Sequence, residues 1–357
     1  MRIRRVDSRI HRSAFGYGAG EHGSGGNLRL REIETLLVRV ETEDGLHGWG
    51  EGFGFTLART TQAAVERLLA PASIGQDSRD IAALSRLLHR RFHNFGRNGP
   101  VSFGISAIDI ALWDIAGKRA GKPLHALLGE AARGRVPAYA SLLRYGEPAL
   151  VARNTAEALR RGYRQVKLHE IDLACIRAAR DAAPPDVPLM LDINCAWNSV
   201  EEALRFCRAV AGMNIGWVEE PLWPPEDFAA LATLRGAAPC SISAGENLGG
   251  ADDFQRLFAA GAVDVAQPSV TKHGGLSAML EIARLARAAG VGLVPHSPYF
   301  GPGLLATLHL LAATPEAVPV EIYFADLDAP PYGSALAARD GFISVPDAPG
   351  LGLEPVF

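Results

Sequence analysis

The sequence has little of what marks several common classes of protein. Its four cysteines, Cys175, Cys195, Cys207 and Cys240, form no Cys-x-x-Cys pair, and no secretory signal is visible, so a reducing cytoplasm is the expected setting. Basic charge is not in surplus. A net charge of −3 gives no positive field, and nucleic acid is not an expected partner. No apolar run approaches the ~20 residues that span a bilayer, and MRIRRV opens directly into a strand-like segment, so a membrane is not expected either. The Gly-rich segments FGYGAGEHGSGG at 15–26 and GWGEGFGF at 48–55 are not P-loops or dinucleotide fingerprints, since neither joins a strand to a helix in a βαβ unit. A Gly-x-Ser-x-Gly elbow is also absent.

What is present suits a large soluble core. Of 357 residues, 48% are hydrophobic and 21% charged, enough for a barrel of roughly 250 residues plus a smaller domain. Residues 1–130 read as an α+β domain. REIETLLVRVETEDGLHGWGE gives two alternating strands joined at Glu43-Asp44-Gly45, followed by helices near 58–70, 79–92 and 101–120. Apolar residues crowd nearly all faces of the last helix, which is expected to be buried. The glycines of the two rich segments permit positive φ and mobility, as a lid needs, and a plain loop would look much the same.

From about residue 135 the pattern changes to strand, helix, strand. Strands are predicted near 136–140, 164–168, 188–192, 215–219, 240–244, 263–267, 291–295 and 318–322. Seven helices lie between them, near 148–161, 172–183, 199–211, 225–235, 252–260, 274–289 and 302–313. The tail 323–357 is rich in Pro and Gly and replaces the eighth helix. The predicted fold is therefore an α/β protein: a (β/α)₇β TIM-type barrel over 131–322, an N-terminal α+β cap over 1–130, and a C-terminal segment returning to that cap.

Three acids organise the barrel. Asp192, Glu219 and Glu246 each close an apolar run, and both intervals are 27 residues, one strand-loop-helix-loop unit. Right-handed βαβ repetition sets them side by side at the C-terminal rim. Three converging oxygen ligands, with no Cys or His at ligand spacing beside them, suit Mg²⁺ better than zinc. The competing reading makes each acid a helix N-cap or a solvated loop residue, which fits one acid better than three at a single period.

The whole chain resembles the enolase superfamily, in its branch of mandelate racemase and the acid-sugar dehydratases. The resemblance rests on VKLH at 166–169, LMLDIN at 189–194, WVEEP at 217–221, SAGEN at 243–247, PSVTKHGG at 268–275, PHSPYFGPG at 295–303 and PGLGLE at 349–354. It implies Mg²⁺ held by Asp192, Glu219 and Glu246, and chemistry that begins by removing the proton beside a carboxylate through an ene-diolate. It also implies a small-molecule carboxylate substrate and a homo-oligomer, dimer or octamer.

Residues i and i+2 of a strand share a face, so Lys167 and His169 both project into the mouth. Where the branch usually has Lys-x-Lys, this chain has His169, read as the base, with Lys167 as partner to the substrate carboxylate. The alternative is a polar strand-end histidine. His296 is the second acid/base by resemblance, or else a positioning residue. Its usual aspartate partner is replaced by Ser269, a departure that weakens His296 as a base, although Ser269 could still hydrogen-bond the ring.

Lys272 is expected near Glu246, Glu321 at the substrate carboxylate and Asn194 beside Asp192. Ser141, Arg144, Tyr145 and Tyr299 are candidates to read hydroxyls or a distal carboxylate, and Tyr17, His22 and Phe53 are lid candidates. A Schiff-base role for Lys167 would not need three regularly spaced acids. The leading reading is a lyase that dehydrates a sugar acid to a 2-keto-3-deoxy acid. The runner-up is a racemase, epimerase or lactone cycloisomerase, and a non-catalytic barrel ranks last.

Overall fold

Two sheets organise the computed structural model, which describes residues 1–16, 32–129 and 133–356. The first begins with β1 (Ile3–Gly16), β2 (Glu32–Thr42) and β3 (His47–Gly52), all antiparallel. The β2–β3 hairpin turns where the acidic-Gly sequence predicts it. Gly45 adopts φ 83°, and Thr42 N–H donates to the Leu46 carbonyl at 2.9 Å.

Helix Pro100–Ala120 packs on β3 so closely that only glycine fits. A Cβ on Gly48 would lie 2.1 Å from the Ala111 carbonyl oxygen, and one on Gly50 would lie 1.8 Å from that of Ala107. This corrects the reading of a mobile lid for residues 48–52, which are a strand whose glycines serve close helix–strand approach. The helix is long and apolar enough to span a bilayer by composition, but 83% of its apolar window is buried inside the protein, as a core helix requires. Tyr17 and His22, the other lid candidates, lie outside the described residues.

The second sheet holds eight parallel strands: β4 (Arg135–Ser141), β5 (Val166–Leu168), β6 (Leu189–Asp192), β7 (Ile215–Glu219), β8 (Ile242–Ala244), β9 (Val265–Ala266), β10 (Gly292–Leu293) and β11 (Val320–Tyr323). They run in the order β10-β9-β8-β7-β6-β5-β4-β11, a curled sheet in which sequence neighbours are spatial neighbours. Seven helices separate them, from Pro148–Arg160 to Pro302–Ala312, each within a few residues of its predicted position. Strand parity sorts the side chains. Val166, Leu168, Leu189, Leu191, Val218 and Ile242 join the core under the helices, while Tyr139, Met190 and Trp217 form a separate cluster with Val294 packed on it.

Among the described residues no backbone ladder joins β10 to β11. Ser297 bridges them instead, its N–H donating to Glu321 Oε2 at 2.9 Å and its hydroxyl to the Glu321 carbonyl at 3.0 Å. After β11 the tail gives β12 (Asp326–Leu327), paired with the end of β1, and β13 (Phe342–Ser344), antiparallel to β4. It then reaches helix Pro100–Ala120, where Leu351 N–H donates to Asp114 Oδ1 at 2.8 Å and Lys118 Nζ pairs with Glu354 at 2.6 Å.

Candidate active site

The C-terminal ends of β6 and β7, and the turn after β8, bring Asp192, Glu219 and Glu246 together. One carboxylate oxygen from each lies within 4.8 Å of the others. None of the three caps a helix. That work falls to Asp172, Ser199 and Asp227, whose side chains accept N–H groups at the starts of their helices. The crowding has an electrostatic signature: burial and the neighbouring Asp192 carboxylate push the Glu219 pKa well up. An all-oxygen donor set of this kind fits a hard divalent cation.

Lys167 sits fully buried among the acids, with Nζ 3.1 Å from Glu219, 3.2 Å from Asp192 and 2.8 Å from Glu321. Burial opposes its charge, yet Glu219, Glu321 and Asp192 outweigh that and hold its pKa well above the usual lysine range. These carboxylates thus favour the charged ammonium. Glu321, expected at the substrate carboxylate, spends both carboxylate oxygens on protein partners, Lys167 and the Ser297 N–H.

His169, two residues on, directs Nδ1 at the Leu142 carbonyl and sets Nε2 3.3 Å from Asp192. His296 approaches from the far side of the acids, with Nε2 2.6 Å from Glu246 Oε2 and Nδ1 buried without a partner. Ser269 does not supply that partner. Its hydroxyl faces Thr271 and the Tyr299 hydroxyl, both at 3.4 Å.

The remaining candidates divide. Asn194 Nδ2 donates to Asp192 Oδ1 at 2.9 Å. Lys272 Nζ lies 3.4 Å from Asn247 Oδ1 and 5.0 Å above the Phe53 ring, which stands 6.4 Å from His296. Ser141 points into the barrel beside Lys167, its buried hydroxyl unpartnered. Two tyrosines depart from expectation as readers of substrate hydroxyls. Tyr299 commits its hydroxyl to the His296 carbonyl at 2.8 Å and to the Val270 N–H at 3.3 Å, and Tyr145 is 1% exposed within the hydrophobic core.

Other contributors are not apparent from spacing. Glu220, beside Glu219, turns outward at φ 46° and accepts Gly245 N–H at 2.9 Å, bracing the residue before Glu246. Burial and the Glu246 charge raise its pKa to about 7. Trp217 Nε1–H donates to Glu219 Oε2 at 3.1 Å. The Glu-Glu-Pro doublet was the available signal, since adjacent acids on a strand cannot share a face. A cavity of about 340 Å³ lies elsewhere, between the tail, β11 and Leu304, and none of these acids lines it.

A capped parallel barrel with three acids and a lysine gathered at its rim is the architecture of enolase-type enzymes. The chain belongs to the mandelate racemase branch of the enolase superfamily: residues 29–129 match the mandelate racemase / muconate lactonizing enzyme N-terminal domain, and residues 150–356 match the enolase C-terminal domain-like family. It is 36% identical over 347 residues to D-galactarolactone cycloisomerase of Agrobacterium fabrum, covering 92% of this chain and 90% of that protein. It is 30% identical to arabinonate dehydratase of Saccharolobus solfataricus, covering 91% and 89%. Among solved structures, a racemase from Streptomyces coelicolor with bound magnesium superposes with a TM-score of 0.87 at 28% identity, covering 99% of this chain and 97% of that one.

Proposed function

We propose that the protein is a lyase that removes the proton beside the carboxylate of a sugar acid and expels the β-oxygen, giving a 2-keto-3-deoxy acid. The observation that carries this reading is the convergence of three carboxylate oxygens within 4.8 Å, with Lys167 and His169 at their side. Asp192, Glu219 and Glu246 would hold Mg²⁺, which when bound supplies Lewis-acid stabilisation of the charge that builds on the substrate carboxylate.

The chain's own residues do the rest. Lys167, pinned by carboxylates, holds a positive charge where the oxyanion develops, at no cost of reorganisation. A carbonyl oxygen can only accept, so the Leu142 carbonyl keeps a proton on His169 Nδ1 and leaves Nε2 to take the α-proton. His296, whose Nε2–H is directed at Glu246, carries a proton available to the departing oxygen. Among the described residues its Nδ1 has no hydrogen-bond partner to raise its basicity, which argues against a two-base racemase.

A second reading, cycloisomerase, is favoured by the 36% identity to D-galactarolactone cycloisomerase. The two reactions share the α-proton step and differ in whether the β-oxygen leaves as water or stays attached as an opened ring. Incubating the protein with Mg²⁺ and a library of sugar acids and their lactones in D₂O, followed by NMR, separates them. Keto acid from an open-chain acid supports dehydration, keto acid only from a lactone supports ring opening, and deuterium at the α-carbon of recovered epimers means a racemase. No change with any acid would leave a non-catalytic barrel. The family resemblance also supports an oligomer, dimer or octamer, acting in the cytoplasm on a small carboxylate, and light scattering tests the assembly.

A further inference from the structure

We infer that Arg144 makes this a site for dicarboxylic substrates: its guanidinium receives the second, distal carboxylate of a sugar diacid or of its lactone. The inference rests on the proposed function, since the first carboxylate is the one assigned to Lys167 and the three acids.

The argument begins with a charge that lacks its partner. Arg144 follows the end of β4 at the barrel mouth, half-buried, and its Nε–H donates to the backbone carbonyl of His169. Its Nη2 is shut off from solvent and has no hydrogen-bond partner. An arginine is charged at any working pH, and a buried guanidinium edge without an acceptor is costly. Arg161, by contrast, has an acid for its guanidinium and grips Asp326 at 2.7 Å. Beside Arg144 the acid nearest along the neighbouring strand is Glu170, and it is already taken. Its carboxylate accepts the Tyr145 N–H at 2.6 Å and the Gly146 N–H at 3.1 Å.

Position adds a second argument. The residue that anchors the Arg144 Nε is the one whose ring faces Asp192, so the guanidinium is tied to the strand end that carries the proposed base. Three residues earlier, the Ser141 hydroxyl is buried and unpartnered on the barrel face, a further polar atom awaiting an oxygen. Lys272, a further cation on the rim, is occupied with Asn247 and the Phe53 ring. An acceptor that reaches Arg144 is best supplied as a planar carboxylate, which a guanidinium holds through two parallel hydrogen bonds.

Galactarate and galactonate form a matched probe pair, because they differ only in whether the distal carbon is a carboxylate or a hydroxymethyl group. Calorimetric titration of both acids, with Mg²⁺ present, into the wild type and Arg144→Gln is the test. One charge-assisted pair predicts that the wild type binds galactarate about 10- to 100-fold more tightly than galactonate, and that Arg144→Gln removes this preference while leaving galactonate affinity nearly unchanged. A role confined to bracing His169 would weaken both acids alike. Equal affinities in the wild type, binding of neither acid, or a uniform loss in the variant would overturn the inference. A preference that vanishes in the variant, with no α-proton exchange of either acid in D₂O, would uphold the diacid site and sink the enzymatic reading instead.

Discussion

The Leu142 carbonyl oxygen fixes the tautomer of His169. It faces Nδ1, which must therefore carry a proton, while Nε2 stands 3.3 Å from Asp192. One backbone atom just past β4 thus sets the chemistry of a side chain just past β5. Replacing His169 with Asn keeps an N–H donor for Leu142 but removes the basic nitrogen. Exchange of the substrate α-proton, followed by NMR in D₂O, is expected to fall by about 10²- to 10⁴-fold, with circular dichroism unchanged. Exchange at the wild-type rate would remove His169 from the role of base.

Metal binding should be visible without turnover. If the three acids share a divalent ion, Mg²⁺ at about 100 times its dissociation constant stabilises the fold by roughly 2.7 kcal/mol. A thermal melt should shift upward with Mg²⁺ and return with EDTA. Glu219→Gln, which removes a charged ligand at the centre of the trio, is expected to abolish the shift. An unchanged shift in that variant would place the ion elsewhere.

Lys167 sits between three acids and balances their charge. Lys167→Met leaves Asp192, Glu219 and Glu321 buried without their shared ammonium, at a cost of about 3–5 kcal/mol in metal-free protein. Mg²⁺ should restore part of that loss, whereas activity should stay lost. Denaturant titrations with and without the metal give both numbers.

Glu51 makes stability depend on pH. It is buried beneath the start of helix Pro302–Ala312, where its Oε2 accepts the Gly303 N–H at 2.9 Å, and burial raises its pKa to about 8. A carboxyl group that holds its proton in the folded state but loses it near 4.5 when unfolded stabilises fully below that lower value. The contribution is lost as pH rises from there through about 8, with a slope of at most about 1.4 kcal/mol per pH unit. Glu51→Gln keeps the acceptor oxygen and removes the titration, so unfolding free energies of the variant should fall less steeply across this range.

Gly50→Ala tests the close approach of helix and strand. Its Cβ would sit 1.8 Å from the Ala107 carbonyl oxygen, so the helix must move, at about 1–3 kcal/mol. Substituting Gly16 instead, where a Cβ meets nothing within 4 Å, should cost much less.

What the sequence disclosed, and what it hid, follows the range of the interactions. The eight barrel strands and seven helices were legible because each is written in a local period, and the acid trio because its 27-residue interval repeats the folding unit. The Gly-rich run at 48–52 was misread because mobility and tight packing need the same residue. Only the helix carbonyls some 60 positions later tell them apart. Tyr299, Glu220 and Ser269 were similarly illegible. Their partners, the His296 carbonyl, the Gly245 N–H and the Tyr299 hydroxyl, are set by loop paths that composition does not encode.

The seam between β10 and β11 gives the barrel an unusual division of labour. A sheet edge that elsewhere would be zipped by many amides is clasped there by Ser297 gripping Glu321, and the same glutamate holds Lys167. Architecture and charge balance therefore share one fastener. Removing the Glu321 carboxylate would therefore loosen the seam and strip Lys167 of one of its three anions at once.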